Sequence, residues 1–122
     1  DMACYKARAE AVRHAEVYRG AFAISVCPSE DVESPTIVGA QAANELLNII
    51  GIKASFVLTV YNGRIFLSAR SIDEVNVQII AEKLGGGGHI NSAGAQFEHT
   101  DMERAVEDLK KVIDEMVEGG DI

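Results

Sequence analysis

Positive charge is scarce in this chain. Eleven lysines and arginines stand against 19 aspartates and glutamates in 122 residues, a net charge of −8. A surface that coats nucleic acid by general electrostatics needs the opposite balance, so that class is disfavoured. Cysteine is scarce too. Cys4 and Cys27 form no CxxC and have no metal-ligand spacing, which suits inert thiols in a reducing compartment. No stretch approaches the ~20 apolar residues of a membrane span, and no signal peptide is visible. His14, His89 and His99 share no HExxH-like spacing, and nothing resembles a nucleophile elbow or a catalytic dyad. Internal repeats are absent, and the only low-complexity segment is a short run of glycines.

What is present describes one soluble domain. Hydrophobic residues make up 48% and charged residues 25%, ordinary values for a chain large enough to bury a single core. The acidity is uneven. Residues 99–122 hold eight acids and three bases, whereas residues 51–97 hold four bases (Lys53, Arg64, Arg70, Lys83) and three acids. The middle of the chain therefore escapes the negative field of its end. The chain opens at Asp1 without an initiator methionine, and we expect a piece of a larger protein.

Residues 1–18 have helical composition, with Met2, Tyr5, Ala9 and Val12 on one face. Ala21–Val26 reads as a short buried strand, and Ser34-Pro35 opens a helix that runs to about Ile50 and stops at Gly51. Two β-rich runs, Ala54–Tyr61 and Arg64–Arg70, flank Asn62-Gly63, the pair favoured by a type I′ hairpin turn. Pairing Tyr61 with Arg64 puts Phe56, Leu58, Val60, Ile65, Leu67 and Ala69 on one face. The other, more polar face then gathers Ser55, Ser68 and Arg70 at one end. Ser71-Ile72-Asp73-Glu74 has the capping-box pattern for a helix through Leu84. Ala93–Glu98 forms another strand, and Thr100-Asp101-Met102-Glu103 opens a last helix whose apolar residues, from Met102 to Val117, follow helical spacing. The expected fold is α/β: a mixed sheet around a central hairpin, flanked by helices.

Gly85-Gly86-Gly87-Gly88-His89 is the segment that carries chemistry. Glycine loses the most backbone freedom on folding, and no core-packing need for four in a row is evident from the sequence. Successive bare N–H groups form an anion-binding concavity, and a histidine adds a group that donates to phosphate or moves a proton. The run is no P-loop, since no lysine follows it, and no Rossmann fingerprint, since the required glycines are absent and a helix precedes it. The bland alternative is a flexible helix stop with His89 at the surface. Arg70 is suited to clamp a phosphate, or else is solvated or paired with Asp73 or Glu74. Ser68 and Ser71 are candidate hydroxyl donors, although an N-cap role would occupy Ser71. Asn76 sits in the first turn of the next helix, within reach of the same anion or simply solvated. Asn91 and Ser92 join as base or ribose contacts by proximity. Taken together, these residues describe a phosphate-ligand binding module that lacks the catalytic half of an enzyme.

The strings Ser68-Ala69-Arg70-Ser71, Asn76-Val77-Gln78, Lys83-Leu84-Gly85-Gly86-Gly87-Gly88-His89 and Ala93-Gly94-Ala95 resemble the DHHA1 domain, the C-terminal lobe of DHH-family phosphoesterases. The resemblance is strongest from Ser55 to Phe97. Within the family it points to bacterial cyclic-di-AMP phosphodiesterases and their oligonucleotide-hydrolysing relatives. It implies a two-lobe parent in which residues 1–18 are the helical connector and 19–122 the substrate-binding domain. The partner DHH lobe would carry a manganese pair, and this chain alone would bind no cofactor. Carried over by position, Arg70 and its serines hold a phosphate, Gly85–Gly88 approach the nucleotide with bare backbone, and His89 acts beside the scissile group. The parent is expected in the cytoplasm or anchored to the membrane with this domain on the cytoplasmic side, where it could pair as a homodimer. This domain itself would make no membrane contact. A stand-alone nucleic-acid-binding module, as in alanyl-tRNA synthetases, is the alternative, and a dimerisation piece using the apolar hairpin face is a third reading.

Overall fold

Asn62 and Gly63 turn the chain at φ of 52° and 72°, the two positive values of a type I′ turn, and so set the register of the central hairpin. The computed structural model describes residues 1–121. In chain order the elements are α1 (Met2–Arg13), β1 (Glu16–Tyr18), β2 (Phe22–Val26), α2 (Pro35–Leu46), β3 (Ala54–Tyr61) and β4 (Arg64–Ser71). Then come α3 (Val77–Lys83), β5 (Gly87–His89), β6 (Ser92–Phe97) and α4 (Met102–Glu118). The six strands form one sheet in the order β1-β2-β3-β4-β6-β5. Only β2 and β3 run parallel, and α2 supplies the crossover that a parallel pair requires. The mixed α/β sheet with the hairpin at its centre is the architecture expected from the sequence.

Period-two alternation assigns the two faces of the sheet. Phe56, Leu58, Ile65, Leu67 and Ala69 join Ala93, Ala95 and Phe97 of β6 beneath α3 and α4. From α4, the side chains of Leu109, Ile113 and Met116 are almost wholly buried, and each contributes about 1.5–3 kcal/mol. The apolar hairpin face is thus core, not a dimerisation surface. On the opposite face α1 and α2 cover β2 and part of the hairpin through a core rich in small residues: Ala7, Ala11, Ala23, Ala42 and Ala43. Gly39 lets α2 lie close, because a Cβ there would meet the Cγ2 of Thr59 at 2.8 Å. Among the described residues no helix is long and apolar enough to cross a membrane.

Several boundaries differ from the sequence reading. The first helix ends at Arg13, and residues 16–18 form an edge strand against β2. The turn that joins them uses Arg19 and Gly20 at φ of 51° and 75°, a pair without the usual asparagine or aspartate signal. The buried face of α1 is Ala7 and Ala11, while Met2 and Tyr5 lie mostly exposed. Small residues win there because the helix must approach the sheet closely. α2 stops at Leu46, and Ser34 precedes it with Pro35 in its first turn, as expected. α4 is capped by Asp101, whose carboxylate accepts from the Arg104 amide at 2.8 Å, one residue later than the expected Thr100.

Candidate functional site

The site lies where the helical cover on the second face runs out. Register places Ser55, Arg70, Ser92 and His89 side by side across β3, β4, β6 and β5. The next row is Val57, Ser68, Gly94 and Gly87, and the third is Thr59, Phe66 and Gln96. In each row the β3 member is buried under α2. The members on β4, β6 and β5 are half-buried or exposed. The result is an open half-face bordered by α2.

Arg70 is the only cation of that face's first row, and among the described residues it belongs to none of the ion pairs. Its Nη1 donates to the Ala69 carbonyl at 2.9 Å and more weakly to that of Ala93 at 3.5 Å. Partial burial lowers its pKa from the ordinary arginine value. A partly dehydrated guanidinium without a counter-ion gains from any anion that reaches it. Pairing with Asp73 or Glu74 does not occur. Ser92 and His89 share its row, exposed, and Ser68 lies one row behind.

Four other expected contacts are spent within the fold. Ser55 Oγ donates to the Ala43 carbonyl at 2.6 Å, a buried tie between β3 and α2. Ser71 ends β4 and caps nothing. Its Oγ donates to the Val75 carbonyl at 2.6 Å and accepts from Asn91 Nδ2 at 2.9 Å. Asn91 also donates to the Asp73 carbonyl at 3.2 Å, so it fastens the β5–β6 turn to the loop after β4. Asn76 is the N-cap of α3, accepting from the amides of Gln78 at 3.0 Å and Ile79 at 3.3 Å. The capping box expected at Ser71 therefore does not form, because the chain leaves β4 through a turn before the helix begins. Replacing Asn76 with alanine is expected to lower stability by about 1 kcal/mol, the usual loss of a cap. Nucleotide affinity should stay within about twofold, since the loss lies in the helix and not in a ligand contact. Denaturant unfolding and calorimetric titration of the same variant check both halves.

The glycine run is not a loose loop. Gly85, at φ 89°, ends α3. Its amide bonds to the Glu82 carbonyl and that of Gly86 to the Ala81 carbonyl at 2.8 Å, a Schellman turn. Gly87 and Gly88 then continue as β5 against β6. A Cβ on Gly86 would sit 2.0 Å from the Gly94 carbonyl oxygen, and one on Gly88 would sit 2.5 Å from Ala93 Cα. Packing does call for glycine at these positions, against the sequence expectation. Gly87 alone has neither a positive φ nor any atom within 4 Å of an added Cβ. Its bare Cα faces the open side in the row of Ser68 and Gly94.

Sequence reasoning does not single out Phe66 and Gln96 as site residues, although both lie on the open face. The alternation of β4 marks Phe66, but the pairing of β6 with β4 is what adds Gln96. Among the described residues no three His, Cys, Asp or Glu side chains stand together so as to hold a metal ion, and the residues present do not fit a manganese pair.

A protein-family model, the DHHA1 domain, matches residues 20–119. The chain is 38% identical over 115 residues to the cyclic-di-AMP phosphodiesterase PdeA of Listeria monocytogenes, a match covering 93% of this chain and 17% of that protein. It is 40% identical over 118 residues to the cyclic-di-AMP phosphodiesterase GdpP of Bacillus subtilis, covering 95% and 18%. Among solved structures, an exopolyphosphatase-related protein from Bacteroides fragilis has the same fold, with a TM-score of 0.84 at 20% identity over 95% of this chain and 35% of that one. The chain thus spans less than a fifth of the length of these curated relatives. With the family model running through almost all of the sheet and both helical layers, this chain belongs to the DHHA1 domain family.

Proposed function

We propose that the chain is the substrate-binding lobe of a DHH-family phosphodiesterase acting on a cyclic dinucleotide or a short oligonucleotide. The observation that carries this reading is the row of Arg70, Ser92 and His89: an unpaired, partly dehydrated cation beside two exposed polar side chains on the half-face that α2 leaves open. Arg70 takes the phosphate through its free guanidinium nitrogens. Ser68 and Ser92 add hydroxyl donors, and Gly87 lets the nucleotide approach the backbone. His89 donates to the phosphate next to the bond that breaks. The identity to two cyclic-di-AMP phosphodiesterases supports the substrate class. The DHH lobe of a longer parent would hold the metal, with manganese as the expected ion, and would supply the activation of water that this chain's residues do not.

Two measurements test the reading. Calorimetric titration of the chain with 5′-phosphorylated diadenylate, repeated at several salt concentrations, is expected to give a log–log slope no steeper than about −0.7 to −1.4, as for one or two phosphate contacts on a single strand. A much steeper slope together with tighter binding of long RNA would favour a strand-tracking nucleic-acid module. The purified chain with added manganese is expected to leave cyclic-di-AMP and the linear dinucleotide intact. Robust turnover would overturn the division of labour between two lobes.

A further inference from the structure

The open face continues past the phosphate row and ends in aromatic rings. Phe66 lies four residues before Arg70 on β4, about 14 Å away at roughly 3.4 Å per residue. Tyr61, diagonal to it across the hairpin, has its ring centroid 6.3 Å from that of Phe66 at a 52° tilt, and is 41% exposed. Neither ring belongs to either hydrophobic core: Val57, on the same face, is buried under α2, but Tyr61 and Phe66 lie beyond that cover. Between the rings and Arg70 runs the row of Ser68, Gly94 and Gly87, in which two of three residues raise no side chain above the sheet. The floor is therefore a trough. It is walled at one end by Arg70, Ser92 and His89 and at the other by Phe66 and Gln96.

We propose that Phe66 and Tyr61 are a base-stacking platform, and that the trough holds a dinucleotide with its phosphate at Arg70 and its far base at Phe66. This rests on the phosphate anchoring proposed above. The strand spacing of about 14 Å from Arg70 to Phe66 suits a phosphate at one end and the base of a neighbouring nucleotide at the other. The bare middle row lets the sugar-phosphate chain lie flat on the sheet. Gln96 donates its amide N–H to Glu98 at 3.2 Å, which leaves its carbonyl oxygen to accept from an amino group of that base. Stacking on an exposed ring is tolerant of sequence, so the platform sets ligand length more than ligand identity.

Backbone amide shifts of the chain, titrated with inorganic phosphate, AMP and 5′-phosphorylated diadenylate (pApA), test this. Phosphate and AMP should move Arg70, Ser92 and His89, whereas pApA should also move Tyr61, Phe66 and Gln96. Phe66→Ala is expected to weaken pApA about 5- to 100-fold, the range for losing one base–aromatic stack, and to leave AMP unchanged. Phe66→Leu, which keeps an apolar side chain without the ring, should fall with it. Shifts from pApA confined to the Arg70 end, or equal losses for AMP and pApA, would overturn the platform and leave the anchor standing. No shift at either end would overturn both.

Discussion

Arg70→Ala is expected to weaken binding of a 5′-phosphorylated dinucleotide by about 10- to 100-fold, the range for losing charge-assisted hydrogen bonds to an anion. Stability should hardly move. The side chain projects from the open face, pairs with no carboxylate, and is held partly dehydrated by only two hydrogen bonds to backbone carbonyls, one of them long. Removing it therefore deletes a desolvated charge, not a support of the fold. Arg70→Lys should recover only part of the affinity, because an ammonium cannot present two parallel N–H groups to one phosphate. Calorimetric titration gives the affinities, and thermal unfolding shows whether the variants remain native. Unchanged affinity in folded Arg70→Ala would take the arginine out of the site.

The second large effect separates glycines that look alike in the sequence. Gly86→Ala brings a Cβ to 2.0 Å from a backbone oxygen of β6, and Gly88→Ala adds a backbone φ of 142° to a contact of 2.5 Å. Backbone cannot step aside as a flexible side chain can. Overpacking of about 1–3 kcal/mol together with strain of about 1–3 kcal/mol at the disfavoured φ makes Gly88→Ala the more damaging. A fall in thermal midpoint on the order of 10–20 °C follows. Gly87→Ala meets nothing within 4 Å and should leave the midpoint within about 3 °C, the range of a neutral surface change. Its methyl group would stand on the floor of the trough, so dinucleotide affinity should fall by about tenfold, an order-of-magnitude expectation for steric obstruction at a packed contact. Identical behaviour of the three alanine variants would contradict this assignment.

Local signals carry much of the fold. The Asn62-Gly63 turn defines the hairpin and both of its faces, and the apolar spacing from Met102 to Val117 is enough to mark α4. Arg70 and Ser68 are legible because they sit on that same hairpin, where register follows from the turn. β5 is not legible, since three residues that include two glycines have no strand propensity. They become a strand only because β6 offers its edge. The same pairing brings His89 and Ser92 to Arg70, a juxtaposition that depends on contacts across some 20 residues of chain and leaves no periodic trace. Asn76, Ser71 and Asn91 look like ligand residues in sequence because polar side chains near a glycine run suit both purposes. Only the hydrogen-bond partners distinguish a cap or a clasp from a free donor.

α3 is tied to β5 at both of its ends. At its start, the Val77 amide donates to the Ile90 carbonyl at 2.8 Å, just beyond the strand. At its finish, Gly85 and Gly86 close the Schellman turn and pass directly into the strand. Helix and strand therefore form a closed loop of covalent and hydrogen-bonded links, and β5 cannot swing out as a flap while α3 stays seated on the core. The face proposed to meet a nucleotide is therefore already ordered when such a ligand arrives. Little conformational entropy then remains to be lost on binding.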